Sequence, residues 1–340
     1  MSLDNPEPRM SEEEADRRLA TNPEDINAML AKADNRMLAG DHRAANAYYG
    51  SVGSLAGKGA AISREDLLRA RDTTVWLAER FKDKLLESLD RVGLTKSTRH
   101  PRFQKSLEIM LGHRQRDPEY VRFPQMPTTY FYPDLPSVEF ADPKQFAWRE
   151  AVEQAGDPIR KEAEMLLATD GTFGPYVKRT GDRPQGDVHG LMEDPSWSTF
   201  DLTRKGAPVH DRITKCPYTH TAIVENVPYC DIPNRAPSIM YSLLTAGSRI
   251  PPHTGMINVR WICHLPLIVP GNGALRVGST STEWQEYNLM VFDDTVEHEA
   301  WNNSGRDRLV LIFDIWRPDL SSDERTQVRA LFAAVDEYPS

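Results

Sequence analysis

Between residues 239 and 316 apolar and polar positions alternate in short runs bounded by Pro, Gly and acidic turns, the pattern of antiparallel strands. Residues 257–265 predict a strand with Asn258, Arg260, Ile262 and His264 on one face and Val259, Trp261, Cys263 and Leu265 on the other. The second face is an ordinary core face. The first is polar, although the run is apolar for open solvent. It reads either as the lining of a barrel or sandwich mouth, or as a solvated face carrying an arginine and a histidine. The run 308–316, RLVLIFDIW, predicts the clearest strand, entered through a Gly305-Arg306-Asp307 turn. A third strand, 289–292, ends at Asp293-Asp294, and a fourth, 239–245, carries Ser242 and closes at Ala246-Gly247. Gly271-Asn272-Gly273 predicts a hairpin turn between strands. Short strands with frequent turns predict an antiparallel double-sheet β-roll.

The first third of the chain has helical periodicity. Residues 1–10 predict a disordered tail, and the helical pattern runs from Ser11 to Arg114. Asn22-Pro23-Glu24-Asp25 is a helix start, with apolar residues following at helical intervals, and residues 39–45 turn into a second helix. This helix–turn–helix resembles a tetratricopeptide repeat, and Arg64 to Leu94 predicts the neighbouring helix such a repeat needs. The module reads as a docking surface for a peptide or partner, or as a helical cap that stabilises the second domain or a homo-oligomer. Prolines interleaved with aromatics mark a linker, 115–127, before a domain over 128–340. Within it, helices are predicted over 142–155 and 158–168. A long polar stretch from Gly171 to Arg212 reads as a solvated loop with His189 and His210. Ala222-Ile223-Val224 looks strand-like, and a closing helix spans 321–335. The fold class is therefore α+β.

Charge and composition narrow the function. With 41 basic and 50 acidic residues, net −9, the chain lacks the basic surface that a nucleic-acid partner requires. There is no apolar run of transmembrane length, and the polar, acidic N-terminus is no signal peptide. Three cysteines, an odd number, predict reduced structural thiols and a cytoplasmic setting. Phosphate-cradling glycine loops, Cys-x-x-Cys pairs and a serine nucleophile elbow are all missing.

His253, after a Pro-Pro pair, and His298, in Val-Glu-His-Glu-Ala, could share one metal from adjacent strands, or could be structural. A two-histidine, one-carboxylate iron site would carry its carboxylate two residues after the first histidine, and that residue is Gly255. Strand alternation points Glu297 and Glu299 away from the face of His298. Asp293-Asp294 reads as a carboxylate source or, better, as a turn that orients His298.

These pieces together resemble the aspartyl/asparaginyl β-hydroxylase family. The matching residues are His253-Thr254-Gly255, Asn258, Arg260, His264-Leu265-Pro266-Leu267, Trp284, Phe292-Asp293-Asp294, Glu297-His298-Glu299, Arg308 and Asp314-Ile315-Trp316-Arg317-Pro318. The resemblance implies a double-stranded β-helix (cupin or jelly-roll) oxygenase dependent on Fe(II), 2-oxoglutarate and O2. It implies that His253 and His298 bind iron, with a glycine in place of the carboxylate. Arg308 and Ser242 would take the distal carboxylate of 2-oxoglutarate. His264 would lie near its other end, with Arg260 facing the same cavity. The expected reaction is hydroxylation of an unactivated carbon, best the β-carbon of an aspartyl or asparaginyl residue in a peptide or protein. Ile262 stands at a substrate-contacting position where the animal peptide hydroxylases have an arginine. It leaves open a small molecule or lipid acyl chain, while a vestigial binding protein is the non-enzymatic alternative.

Overall fold

A computed structural model describes residues 3–179, 183–184 and 190–338. The chain forms two compact units. The first comprises residues 1–95, 179–188 and 330–340, and the second residues 96–178 and 189–329.

In the first unit, helices α1 (Glu12–Thr21), α2 (Ile26–Leu38), α3 (His42–Gly57) and α4 (Arg64–Arg91) follow one another. Each begins where a side chain supplies the acceptor its first turn lacks: Ser11, Asp25, Asp41 and Ser63 each accept from a backbone N–H three residues on. Met29, Leu30, Ala33 and Met37 of α2 pack against Tyr48, Tyr49 and Val52 of α3 and Leu77 of α4. Buried Asp34 accepts from the Tyr49 hydroxyl at 2.5 Å and from Arg69 at 2.6 Å, so its charge is paired. Arg64 to Arg91 is one unbroken helix. Two expectations change here. Arg9, in the predicted disordered tail, is ion-paired with Asp66. The helical unit ends at Thr95 rather than near 114, and helix α5 (Pro101–Met110) belongs to the second unit. The reason is local, since Phe103 and Leu107 are buried and Ser106 bonds the Tyr130 hydroxyl.

The second unit holds helices α6 (Arg149–Gln154), α7 (Gly156–Leu167), α8 (His210–Ile213) and α9 (Pro217–Asn226), and the start of α10 (Ser322–Glu337). Its strands are β1 (Phe140–Ala141), β2 (Gly174–Pro175), β3 (Trp197–Asp201), β4 (Thr203–Arg204), β5 (Ala207–Pro208), β6 (Ile239–Leu244), β7 (Arg249–His253), β8 (Arg260–Ile268), β9 (Gly273–Val277), β10 (Thr280–Glu283), β11 (Met290–Phe292), β12 (His298–Asn302) and β13 (Arg308–Trp316). A seven-stranded sheet, ordered β1-β11-β8-β13-β6-β3-β2, faces a four-stranded sheet ordered β10-β9-β12-β7, and all pairings are antiparallel. β4 and β5 pair apart. The fold is a double-stranded β-helix jelly roll joined to helices, α+β as read from the pattern.

The period-two alternation sorts the two faces of the large sheet. Trp261, Cys263 and Leu265 of β8 and Leu309, Leu311 and Phe313 of β13 pack under α6, α7 and α9. Ile262, Val310 and Ile312 point the other way, toward Ile250, Leu275, Val277 and Ala300 of the small sheet. The site lies between the sheets.

Two local predictions fail. Ala222-Ile223-Val224 is not a strand but part of α9. Pro217 opens this helix, and the buried Glu162 carboxylate accepts from the N–H groups of Tyr218 and Thr219, both at 2.9 Å. Gly271-Asn272-Gly273 does not join hairpin partners. It carries the chain from β8 in the large sheet to β9 in the small one, with positive φ at Gly271 and Asn272. Within the long polar stretch, residues 174–175 and 197–201 are strands. His210 is exposed, and His189 lies outside the described residues. The three cysteines are free and buried.

Glu324, 2 % exposed, is the anchor of the start of α10. It accepts from Arg102, Tyr132 and Ser321. Burial alone would raise its pKa. The bonds from these partners outweigh burial and hold it at about 2, below the ordinary 4.5. A carboxyl whose pKa falls on folding adds stability above its unfolded pKa and loses it as pH drops toward the folded one. Glu324→Gln is expected to cost on the order of 2 kcal/mol at neutral pH. The gap to the unmodified chain should close between pH 4.5 and pH 2, as followed by urea midpoints. A gap that stays constant over that range would contradict the assignment.

Candidate active site

β12 and β7 pair so that His298 lies directly opposite His253, with ring centroids 4.1 Å apart. Each Nδ1 is engaged by a backbone carbonyl on its own strand segment: Pro251 O at 2.8 Å for His253 and Val296 O at 3.1 Å for His298. Donation from Nδ1 puts the lone pair on Nε2, the tautomer in which imidazole ligates a metal. Burial, and then the neighbouring His253, push the His298 pKa down to about 3, so this ring is neutral at ordinary pH. Among the described residues no group of three or more His, Cys, Asp or Glu side chains is placed to hold a metal. The candidate donor set is therefore the two imidazoles.

Gly255 has a definite neighbour. A Cβ built there would lie 2.1 Å from Asp294 Oδ2. The space that a side chain at this position would fill is thus occupied by the Asp294 carboxylate. Asp294 is 6 % exposed, and its Oδ1 is buried without a hydrogen-bond partner. Burial pushes its pKa up to about 7 against the pull of Arg260. Asp293 does a different job. It accepts from Gln125 at 2.6 Å, Thr295 at 2.5 Å and Arg317 at 2.9 Å, which ties the 123–137 segment and the end of β13 to the turn before His298. Asn258 extends this anchorage: its amide exchanges bonds with the backbone of Tyr132 at 2.7 and 2.9 Å. The strand consequently begins at Arg260, not at residue 257. Glu297 and Glu299 do point away from the site, to Arg276 and Arg249.

Arg308 is 2 % exposed. Its Nη1 reaches the carbonyl of Ser242 at 3.4 Å, its guanidinium lies 4.6 Å over the Trp284 ring, and its Nε is buried without a partner. No carboxylate among the described residues faces it. Burial alone depresses its pKa, to about 9. His264, on the inner face of β8, is edge-on to Phe292 at 5.0 Å, and Phe292 lies 5.6 Å from His298. Its Nδ1 has no partner. Burial, then Arg308 and His298, hold its pKa well below the usual histidine value. Three nitrogens, Arg308 Nε, His264 Nδ1 and Trp284 Nε1, are thus buried and unsatisfied in one region, which marks a place built for a polar ligand.

Arg260 stands apart from that region in its partners. It is ion-paired with Asp314 and lies 3.5 Å from Asp294 Oδ2. Burial works against its charge, but the two carboxylates outweigh burial and raise its pKa above the ordinary value. Its charge is thus taken up by two carboxylates, while its Nε, like that of Arg308, is buried without a hydrogen-bond partner. Ile262 is 8 % exposed on the inner face between Arg260 and His264.

Two residues here were not anticipated. Trp197 of β3 donates to Ser242 Oγ at 3.1 Å, and its ring lies 6.0 Å from that of His253. Tyr176 stacks on it at 4.2 Å. Both lie in the stretch read as a solvated loop. The strand-favouring Trp197, Thr199 and Phe200 close together in Trp-Ser-Thr-Phe-Asp were the signal that could have found the first.

Fold and site together define a jelly-roll domain with two facing histidines and a buried arginine that has no counter-ion among the described residues. Residues 153–318 match the family model described as Aspartyl/Asparaginyl beta-hydroxylase, and this part of the chain is similar to that family. The human aspartyl/asparaginyl beta-hydroxylase is 33 % identical over 142 residues, which are 42 % of this chain and 18 % of that protein. The ornithine lipid ester-linked acyl 2-hydroxylase of Rhizobium tropici is 31 % identical over 190 residues, 55 % of this chain and 63 % of the relative. The aspartate beta-hydroxylase domain-containing protein 2 of Xenopus tropicalis is 30 % identical over 214 residues, 62 % of this chain and 55 % of the relative. The chain thus spans less than two thirds of each of these relatives. Among solved structures, AviO1 of Streptomyces viridochromogenes is similar at a TM-score of 0.30 and 16 % identity, covering 49 % of this chain and 86 % of that one.

The collision at Gly255 yields a test. Gly255→Ala should destabilise the chain by about 1–3 kcal/mol in urea unfolding, because buried Asp294, held by Arg260, must move to admit the methyl group. Destabilisation below a few tenths of a kcal/mol would show that Asp294 yields freely.

Proposed function

We propose that the jelly-roll domain is an Fe(II)- and 2-oxoglutarate-dependent hydroxylase of an unactivated carbon. The observation that carries this reading is Arg308. A buried guanidinium without a counter-ion is costly to fold around, and that cost is recovered when an anion arrives. A planar fork suits a carboxylate. The hydroxyl of Ser242, beside it, would donate to the same carboxylate, and His264 would lie toward the cosubstrate's other end. His253 and His298 would hold the iron as nitrogen donors of fixed tautomer. Bound iron would supply activation of dioxygen, with 2-oxoglutarate converted to succinate and carbon dioxide and one oxygen atom delivered to the substrate carbon. The chain's own contribution is to hold the cosubstrate in one orientation and to surround the centre with Val277, Phe292 and Val296, which exclude water.

The family makes an aspartyl or asparaginyl residue of a peptide the leading substrate. A second reading, a lipid acyl chain or other uncharged small molecule, is favoured by Arg260. With that guanidinium committed to Asp314 and Asp294 and an isoleucine at 262, the inner face of β8 offers no unpaired cation to an acidic side chain. The Rhizobium relative carries an acyl hydroxylase name, in keeping with this second reading.

Anaerobic Fe(II) and 2-oxoglutarate should produce the weak visible band of a chelated complex, and admission of air should release succinate. His298→Ala should lose iron on equilibrium dialysis. Arg308→Ala should retain iron and weaken 2-oxoglutarate binding on the order of 100-fold. Full iron binding by His298→Ala would refute the ligand assignment. A folded chain with neither band nor succinate would favour a binding protein without catalysis. Substrate-stimulated succinate release decides between substrates: stimulation by acidic peptides supports the first reading, and stimulation only by acyl or uncharged compounds the second.

A further inference from the structure

Nothing in the reading above uses Trp197, although its indole sits against the anion seat. Its Nε1–H donates to Ser242 Oγ at 3.1 Å. An indole N–H is a donor only, whereas a serine hydroxyl has one proton to give and two lone pairs to receive. The direction of this bond is therefore fixed: Ser242 accepts from Trp197 and must send its own proton elsewhere. Ser242 is 1 % exposed, so bulk water is not the recipient. Among the described residues no acceptor is bonded to that hydroxyl. Its neighbour Arg308, whose Nη1 is 3.4 Å from the Ser242 carbonyl, has only donors to offer. A buried hydroxyl whose lone pair is engaged and whose proton is uncommitted, next to an unpaired guanidinium, is a donor waiting for an anion.

We propose that Trp197 is a positioning residue for the cosubstrate carboxylate: it orients the Ser242 hydroxyl so that the O–H joins Arg308 as a donor. The inference rests on the reading that Ser242 and Arg308 receive that carboxylate. The indole bond also polarises the hydroxyl, which strengthens the bond it donates. The stack on Tyr176 at 4.2 Å and the pairing of β3 with β6, in which Trp197 lies opposite Leu244, hold the indole in place. No residue with both donor and acceptor character could impose the same polarity, because such a group could reverse the bond.

The test is calorimetric binding of 2-oxoglutarate to the full chain loaded with Mn(II), which reports affinity without turnover. Four proteins are compared: the unmodified chain, Trp197→Phe, Ser242→Ala and the double variant. Trp197→Phe should weaken binding about fivefold, and Ser242→Ala at least as much. The double variant should be no weaker than Ser242→Ala alone, since the indole acts only through the hydroxyl. A packing role would instead lower the melting temperature of Trp197→Phe and leave its affinity untouched. Unchanged affinity in Trp197→Phe, or losses that multiply in the double variant, overturns the proposal. Failure of the Mn(II)-loaded unmodified chain to bind 2-oxoglutarate overturns the functional reading beneath it, and the proposal with it. If Trp197→Phe does not fold, indole proton–nitrogen NMR spectra of the other proteins carry the test. One indole signal should shift both on Ser242→Ala and on adding 2-oxoglutarate to the unmodified chain; two unrelated signals, or none, overturn the proposal.

Discussion

The antiparallel pairing of β8 with β13 is the constraint from which the rest of the site is hung. Both strands are almost wholly buried, with helices on one side and the small sheet on the other. In a strand buried on both faces a slip of one residue would exchange the two sets of side chains. Here that exchange would drive Arg260, His264 and Arg308 into an apolar layer under the helices and leave Trp261, Cys263 and Phe313 in the cavity. The register is thus enforced by the cost of burying charge in the wrong layer. Asp314, opposite Ile262, adds to it by closing on Arg260 within the correct layer only. The same strand carries Arg308 at its entrance and Asp314 near its end, so one long element fixes both the unpaired and the paired guanidinium.

Much of this was legible because it is written in local alternation. The run 308–316 shows its own bounds, being apolar throughout except for Arg308 and Asp314. His253, His264, His298, Ser242 and Arg308 fall on the inner layer as their positions along strands require, and the structure brings them to one region between the sheets. What could not be read depends on partners far along the chain. Ala222-Ile223-Val224 has strand-like side chains, yet α9 forms because Glu162, from another helix, satisfies its first N–H groups. The glycine turn at 271–273 looks like any hairpin, and only the sheet assignment of its two flanking strands shows that it crosses between layers. Arg260 has the right face for a ligand, but its two carboxylates lie on other elements. Trp197 was hidden by the polarity of the residues around it.

The site combines two kinds of polar group that the interior treats oppositely. Arg260, Asp294 and Asp314, like Asp293 with Arg317, are charges paired within the protein, although Arg260 Nε and Asp294 Oδ1 have no hydrogen-bond partner. Arg308, His264 and Trp284 keep nitrogens without partners. Folding tolerates the second kind only where something else repays it. The division is one of charge pairing and not of residue type, since one buried arginine is ion-paired and the other is not.

The order of strands in the two sheets bears on how the chain reaches this state. His253 and His298 meet across β7 and β12, but the chain between them first visits the large sheet through β8, returns to the small sheet for β9 and β10, and visits the large sheet again through β11. Neither histidine can find the other by a local turn. Their meeting requires loop closure across most of the jelly roll, a non-local step of the kind that slows β-rich folding. The paired imidazoles are accordingly a late product of assembly. A nascent or partly folded chain presents two separate histidines, and the facing pair of imidazoles exists only once the roll is complete.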